Sequence, residues 1–375
     1  MRLLDLCDIK YGYAFDSKRF TDNPIYPPLV RIRDVKRGFS ETFYAGEYSK
    51  EYLLHKGDLL IGMDGEFNIA RWKSVDALLN QRVCKISAKK GTNEEYIRFA
   101  LSKKLKNIED KTSFVTVKHL SARELSTIEF TMPEYEKQRK IADILVSIEN
   151  IIEKKKQELE QLDTFVKSRF AEMFGNPLNG TAKYPIHQVG EVANSVDPQP
   201  SHRTPPVEED GVPYVSIKDC DYKTGKIDFE GARKVSPKVL EEHLNRYTLH
   251  EGDFVIGKIG TIGNPVFIPA RDDYTLSANI VLVQPNRELV SPYFLKYSFE
   301  SDFVERQFAE AKNSTSQAAF GIQKVRTVKV MNPDLDVQNK FENFVQQVDK
   351  SKSKIQKSLE ETQLLFDSLM QKYFG

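Results

Sequence analysis

The chain has little cysteine: three in 375 residues, Cys7, Cys84 and Cys220, far apart and without a C-x-x-C pair. This excludes a zinc ribbon and gives no disulfide framework, so a reducing compartment is expected. The six histidines show no H-x-x-x-H spacing, and no metal site is expected. No apolar run approaches the ~18 residues of a membrane span. The start, Met1-Arg2-Leu3-Leu4-Asp5-Leu6-Cys7-Asp8, carries two aspartates where a secretory signal needs its apolar stretch. A soluble, cytoplasmic protein without membrane contact is expected. Charge of one sign is also missing. Lys+Arg number 55 and Asp+Glu 54, which excludes a uniformly basic nucleic-acid binder but leaves room for local basic patches.

Signatures of chemistry are equally scarce. There is no G-x-x-x-x-G-K-[ST] and no serine in a nucleophile elbow. Gly257, Gly260 and Gly263 form a G-x-x-G-x-x-G run, which fits a strand and turn better than a phosphate cradle. Asn23-Pro24-Ile25-Tyr26 lacks the second proline of the N-P-P-Y motif of adenine methyltransferases, and no S-adenosylmethionine glycine motif accompanies it. It reads as a loop. His119, His187 and the other histidines have no evident Cys, Ser or carboxylate partner nearby in sequence and read as surface or hydrogen-bonded residues. The chain reads as a binder or scaffold rather than a catalyst.

What the chain does have is a composition of 40% hydrophobic and 29% charged residues, typical of a globular protein, and an internal repeat. His55-Lys56-Gly57-Asp58-Leu59-Leu60-Ile61-Gly62 recurs as His250-Glu251-Gly252-Asp253-Phe254-Val255-Ile256-Gly257. Pro28-Leu29-Val30-Arg31-Ile32-Arg33-Asp34 answers to Pro213-Tyr214-Val215-Ser216-Ile217-Lys218-Asp219, and Met173-Phe174-Gly175 to Tyr373-Phe374-Gly375. A repeat this long means two related units with their own cores. Each opens with short strands punctuated by glycine and proline, as at Ile256, Ile259, Ile262, Val266 and Ile268. Helical stretches are mixed in, at Asn93 to Lys106 and Pro292 to Ala311.

Each unit then ends in a long heptad stripe. Ile141, Leu145, Ile148, Ile152, Lys155, Leu159, Leu162, Val166, Arg169 and Met173 step by four and three, as do Phe341, Val345, Val348, Lys352, Ile355, Leu359, Thr362, Phe366, Leu369 and Tyr373. A 3.5-residue period sustained this long is a coiled-coil seam. Pro133 and Pro333 precede the two helices. The expected fold is α+β: two similar domains with mixed or antiparallel sheets, each followed by a long helix, the helices pairing as an antiparallel coiled coil with pseudo-twofold symmetry. The expected segments are 1–135, 136–175 (helix), 176–183 (linker), 184–332 and 333–375 (helix). The competing expectation is that each helix packs on its own domain as ordinary core.

Residues 1–135 hold 23 Lys+Arg against 19 Asp+Glu, and residues 176–332 hold 18 against 20. Neither is a strong footprint for DNA by itself, so partners would have to supply phosphate contacts. Local clusters nevertheless suit base reading. In the first copy they are Arg31, Arg33, Lys36 and Arg37; Asp64, Glu66, Asn68, Arg71 and Trp72; and Asn80, Gln81 and Arg82, types that pair with adenine and guanine edges. A polar loop with Ser113, Thr116, Lys118 and His119 suits phosphates. In the second copy the loops carry Lys218, Lys258, Thr261, Asn264, Ser277, Asn279, Ser314, Thr315, Gln317, Gln323 and Lys324. Any one of these alone reads as a solvated loop residue. Together, the copies share turns, strands and seams and differ in these loops, as two recognition tasks on one scaffold require.

Two variable modules, each followed by a heptad helix that opens with a proline and then a glutamine (Pro133, Gln138; Pro333, Gln338), resemble the specificity subunit of type I restriction-modification systems. Gly57-Asp58-Leu59-Leu60-Ile61-Gly62-Met63-Asp64-Gly65-Glu66-Phe67-Asn68-Ile69 and Gly260-Thr261-Ile262-Gly263 are similar to runs in its target recognition domains. The resemblance implies that each domain reads one half of a split double-stranded DNA target and that the paired helices set the gap. It implies docking of two modification subunits, which carry S-adenosylmethionine and methylate adenine N6, and of restriction and translocase subunits. No cofactor would be bound by this chain. Lys155, Arg169, Lys352 and Thr362 depart from the apolar seam. The alternatives are a coiled-coil adaptor joining proteins only, or a degenerate adenine methyltransferase or nuclease component.

Overall fold

The structure is a computed structural model that describes residues 1–111, 118–201, 203–222, 224–258, 263–313 and 321–375. The chain forms two compact units, one of Met1–Lys156 with Lys357–Gly375 and one of Gln157–Gln356. Each unit therefore holds half of each long helix.

In the first unit, a four-stranded antiparallel sheet runs in the order Cys7–Tyr11, Val83–Ala88, Leu59–Gly62, Ile69–Arg71. A second, mixed sheet places Leu29–Val30 parallel to Ala77–Leu79, which pairs antiparallel with Leu53–Leu54. The second unit repeats the plan. Ala193–Val196, Ile280–Pro285, Phe254–Gly257 and Val266–Phe267 form the antiparallel sheet. Val212–Val215 runs parallel to Thr275–Leu276 and antiparallel to Arg233–Val235. The sequence repeat is a repeat of register: Leu59 faces Ile86, and Phe254 faces Val283. Ile259 and Ile262, expected in strands, lie outside the described residues.

The repeated His-x-Gly-Asp motif is a turn. Asp58 N–H donates to the His55 carbonyl (3.1 Å), and Asp253 N–H to that of His250 (3.0 Å). Gly57 and Gly252 sit at φ 97° and 86°, as the third position of a type II turn demands. Each aspartate carboxylate then accepts from the histidine N–H, at 2.8 and 2.9 Å. The motif launches the central strand of each antiparallel sheet and does no chemistry. Asn23 to Tyr26 is also a turn: Asn23 Oδ1 accepts from the Ile25 N–H at 3.1 Å.

The long helices are Tyr135–Phe174 and Leu335–Phe374. Gly175 ends the first in the left-handed region (φ 78°), its N–H bonding the Ala171 carbonyl at 2.8 Å. The expected helix from Asn93 appears as Glu94–Lys111. The stretch from Pro292 is broken into Pro292–Phe299 and Asp302–Asn313, with Ser301 at the break, its hydroxyl donating to the Ser298 carbonyl at 2.6 Å.

Both expectations for the helices are met at once, because the seam merges with the domain cores. In the first unit, Ile141 and Leu145 join Leu59, Ile61, Ile86, Ile97, Leu101 and Leu105, with Phe366 and Leu369 packed against them. In the second, Val166, Phe170 and Phe174 join Phe254, Val283, Phe294 and Phe299, together with Phe341, Val345 and Val348. Within that unit Phe174 and Phe170 meet Phe341 while Asp163 meets Lys352, so the two segments run antiparallel. Ile148 and Ile152 are buried, and Leu159, Leu162, Ile355 and Leu359 half-buried. The polar interruptions find partners. Lys155 Nζ bonds Ser358 Oγ, Lys352 Nζ meets Asp163 at 2.5 Å, Thr362 Oγ1 donates to the Ser358 carbonyl at 2.6 Å, and Arg169 pairs with Glu172 at 2.8 Å.

Candidate nucleic-acid interface

In each unit the parallel strand pair delivers two loops to one junction. In the first unit, Leu29–Val30 leads into Arg31 and the short helix Ile32–Arg37, and Ala77–Leu79 leads into Asn80, Gln81 and Arg82. The Arg31 N–H donates to Asp34 Oδ2 at 2.9 Å, closing a box at the helix start. Asp34 is 1% exposed, and burial pushes its carboxyl above the usual range. Arg33 Nε and Arg37 Nη1 each stand 3.8 Å from it, compensating a buried charge. The Arg33 and Lys36 side chains are exposed. Lys36 lies 3.5 Å from Glu66 and holds that carboxyl below its ordinary value. Arg37 bonds Glu41 at 2.9 Å and covers the Phe39 ring.

Gly12 makes the junction possible. A Cβ there would stand 2.0 Å from the Asn80 carbonyl oxygen, so the strand end reaches the second loop only without a side chain. Tyr13 N–H then donates to the Leu79 carbonyl (3.0 Å), and Gln81 N–H to that of Tyr13 (2.8 Å). Gln81 and Arg82 are exposed. Among the described residues, Arg82 is the one non-glycine at positive φ, 69°, a conformation that costs energy and needs a surrounding that holds it. That surrounding is Asp64 and His119. Arg82 Nε lies 3.5 Å from Asp64 Oδ2, Arg82 Nη1 lies 3.1 Å from His119 Nδ1, and His119 bonds Asp64. Lys118 pairs with Glu109 at 3.7 Å, and its carbonyl accepts from the Gly65 N–H. Asn68 Nδ2 donates to the Glu66 carbonyl at 3.3 Å.

The second unit forms the same junction with different side chains. The Ser216 N–H donates to Asp219 Oδ2 at 2.8 Å, matching Arg31 and Asp34. Beside it lies a cleft of about 420 Å³ whose lining includes Thr204, Tyr214, Ser216, Lys218, Arg233 and Asn279. Tyr214 Oη accepts from the Ala278 N–H at 3.1 Å, which fixes the Ser277–Asn279 loop. Lys218 is exposed and Asn279 half-buried. Asn264 is half-buried. Gln323 is exposed and Lys324 half-buried on the short helix Ile322–Arg326, which Arg326 Nη2 ties to the Ser195 carbonyl at 3.0 Å.

Five expected contacts are corrected. Ser277 is 5% exposed and its hydroxyl donates to Asn279 Oδ1. Trp72 is 1% exposed, sits in a core with Val30, Val35 and Leu60, and donates its indole N–H to the Val75 carbonyl at 2.7 Å. Arg71 is occupied by Glu94 (2.9 Å), Glu95 and the Gly57 carbonyl (2.6 Å), joining the sheet edge to the helix Glu94–Lys111. The Asn80 side chain is buried. Lys258 is 5% exposed and paired with Asp197 at 2.7 Å. The buried groups cannot reach a base without unfolding their surroundings, and Arg71, partly exposed, is taken up by its three partners. Ser113, Thr116, Thr261, Ser314, Thr315 and Gln317 lie outside the described residues. Three of the histidines do have acidic partners at hydrogen-bond distance, His119 with Asp64, His187 with Glu191 (2.9 Å) and His55 with Asp76 (3.0 Å). Sequence reasoning missed Thr204, Tyr214, Ser216 and Arg233. The match of Pro213–Asp219 to Pro28–Asp34 marked two of them, since Arg31 had already been chosen. Among the described residues no group of three His, Cys, Asp or Glu side chains is placed to hold a metal. Nor is any helix long and apolar enough to cross a membrane.

The family model described as the type I restriction modification DNA specificity domain matches twice, over residues 1–162 and 207–362. The EcoBI specificity subunit of Escherichia coli is 25% identical over 98% of this chain and 84% of its own. The MjaVIII specificity subunit of Methanocaldococcus jannaschii is 21% identical over 86% and 79%. The solved S subunit of a type I restriction-modification system from M. genitalium shares the fold, with a TM-score of 0.59, 15% identity and coverage of 100% of this chain and 95% of that one. The chain belongs to the type I restriction-modification DNA specificity family, as the component that recognises DNA sequence for the complex and not the component that catalyses.

Proposed function

We propose that the two units read two different half-sites of one split duplex target, and that the length of the long helices sets the gap between them. One observation carries this reading. The same strand-pair junction occurs in both units, but it presents Arg33, Lys36, Gln81 and Arg82 in one and Lys218, Arg233 and Asn279 in the other. Arginine and glutamine or asparagine are the side chains that pair bidentately with guanine and adenine edges. The near-neutral chain supplies few phosphate contacts, so two modification subunits close around the DNA, bring S-adenosylmethionine and methylate adenine N6. Restriction and translocase subunits add to that complex, in the cytoplasm. Methylation-aware sequencing of the source genome with and without this gene tests the reading. Loss of N6-methyladenine at one motif with two defined halves and a fixed undefined gap is expected. An unchanged methylome in cells that contain the modification subunit would refute it.

A further inference from the structure

The proline and glutamine that open each long helix have a structural task that the reading of DNA does not account for. Gln138 is 3% exposed and Gln338 is fully buried. Gln138 Nε2 donates to the Pro133 carbonyl at 2.8 Å, and its Oε1 accepts from the Asn93 N–H at 2.9 Å. Gln338 Nε2 donates to the Pro333 carbonyl at 2.7 Å, and its Oε1 accepts from the Ser291 N–H at 2.8 Å. Asn93 and Ser291 are themselves helix caps. Asn93 Oδ1 accepts from the Tyr96 N–H at 2.9 Å, and Ser291 Oγ from the Phe294 N–H at 3.2 Å. In each unit one carboxamide thus ties the first turn of the long helix to the first turn of a recognition-domain helix. A carboxamide holds its donor and its acceptor on one rigid plane and so makes both bonds with one side chain.

Each unit has a second tie between the same two helices. Arg98 bonds Glu149 at 3.0 and 2.6 Å, and Ser291 Oγ donates to Glu342 Oε2 at 2.7 Å. Much of the rest of that contact is apolar, with Ile97 and Leu101 in one cluster with Ile141 and Leu145 in one unit and Phe294 in one cluster with Phe341 in the other. Apolar burial is non-directional and leaves rotation cheap. In the first unit the ties sit at two residues, Asn93 and Arg98, and fix an angle where one would leave a pivot; in the second both meet on Ser291, and Gln338 Nε2 adds a bond to the Leu289 carbonyl at 3.3 Å. The angle matters because one added base pair moves a half-site by about 3.4 Å and turns it by about 35°.

We propose that Gln138 and Gln338 are positioning residues that lock each recognition domain at one angle on its long helix and so set how strictly the gap between half-sites is enforced. This rests on the split-target reading above. The test uses the full chain expressed with its modification subunits, acting on plasmids that hold both half-sites constant while the gap is native, one base pair shorter or one longer. Gln138→Met and Gln338→Met keep the side-chain volume and remove all the carboxamide's bonds, which at Gln338 include further ones to the Leu289 carbonyl and Asn332 Oδ1. Each is expected to raise the ratio of adenine methylation at the wrong gaps to that at the native gap about tenfold, the equilibrium worth of one buried hydrogen bond. The bases read in each half should not change. A folded variant whose ratio stays at the wild-type value, or which methylates all gaps less by one common factor, overturns the proposal. Glu149→Ala and Glu342→Ala remove the second tie and serve if the Met variants do not fold; an unchanged ratio there overturns it equally. If the wild type enforces no gap, the split-target reading itself fails, and that outcome is separate from a variant that keeps a strict gap.

Discussion

Arg82 combines exposure, a positive φ of 69° and a guanidinium held between Asp64 and His119. A strained residue in a reading loop points to a role its neighbours enforce. Arg82→Ala is expected to relax the first half-site at one position, by about 1–3 kcal/mol, with the second half-site unchanged. Arg82→Gly loses the same contact but relieves the left-handed backbone, so it should be at least as stable as Arg82→Ala. Binding measured on half-site variants, with melting of both proteins, checks the pair. An alanine variant with unaltered base preference would remove Arg82 from the reading surface. His243 titrates for another reason. It is 3% exposed, bonded to Thr275 and Gln199, and burial lowers its pKa below the ordinary 6.5. The unfolded chain therefore takes up this proton first as pH falls. Its contribution to stability is present above pH 6.5 and is lost below it, by up to ~1.4 kcal/mol per pH unit. His243→Gln should lose less stability between pH 7 and 5 than the wild type in denaturant titrations; an equal loss would contradict the assignment.

The elements divide into those that local pattern specifies and those that tertiary partners specify. The turns at Gly57 and Gly252 were legible because turn and strand follow from a few adjacent residues. The heptad stripes were legible as helices for the same reason. What the stripe touches was not, since the same apolar spacing serves a partner helix or a domain core, and here Ile141 and Leu145 serve the core. The site was half legible. Polar residue type located the junction loops, but type is silent on burial: Lys258 is neutralised by Asp197, far away in sequence, and Trp72 is buried in a cluster with Val30, Val35 and Leu60. This difference predicts two unequal mutations in the long helices. Leu145→Ala opens a cavity at a fully buried site and should cost about 2–5 kcal/mol. Lys352→Ala removes a pair whose Asp163 is half exposed and should cost less than ~1 kcal/mol. Comparable losses in urea unfolding would mean that the polar layer, rather than the apolar ends, holds the helices.

At the scale of the whole chain, the split of each forty-residue helix between units separates what is read from the distance at which it is read. The junction loops lie at the ends of parallel strand pairs, within each unit's own sheets. Residues 153–159 and 353–359 lie in the helices near the division between units, and none belongs to a junction. Removing these seven residues from both helices keeps the heptad phase, so the apolar stripes on either side stay in register. It also shortens each helix by about 10 Å at 1.5 Å per residue. Spread over a duplex rising about 3.4 Å per base pair, that is about three base pairs. The doubly deleted chain, expressed with its modification subunits, should methylate the same two half-sites across a shorter gap, and more slowly, because the lost base pairs also turn one half-site against its locked domain. Removing the heptad from one helix only would put the two stripes out of step and should abolish methylation. Altered half-sites at a constant gap would show that the helices take part in reading bases and do not act as the ruler.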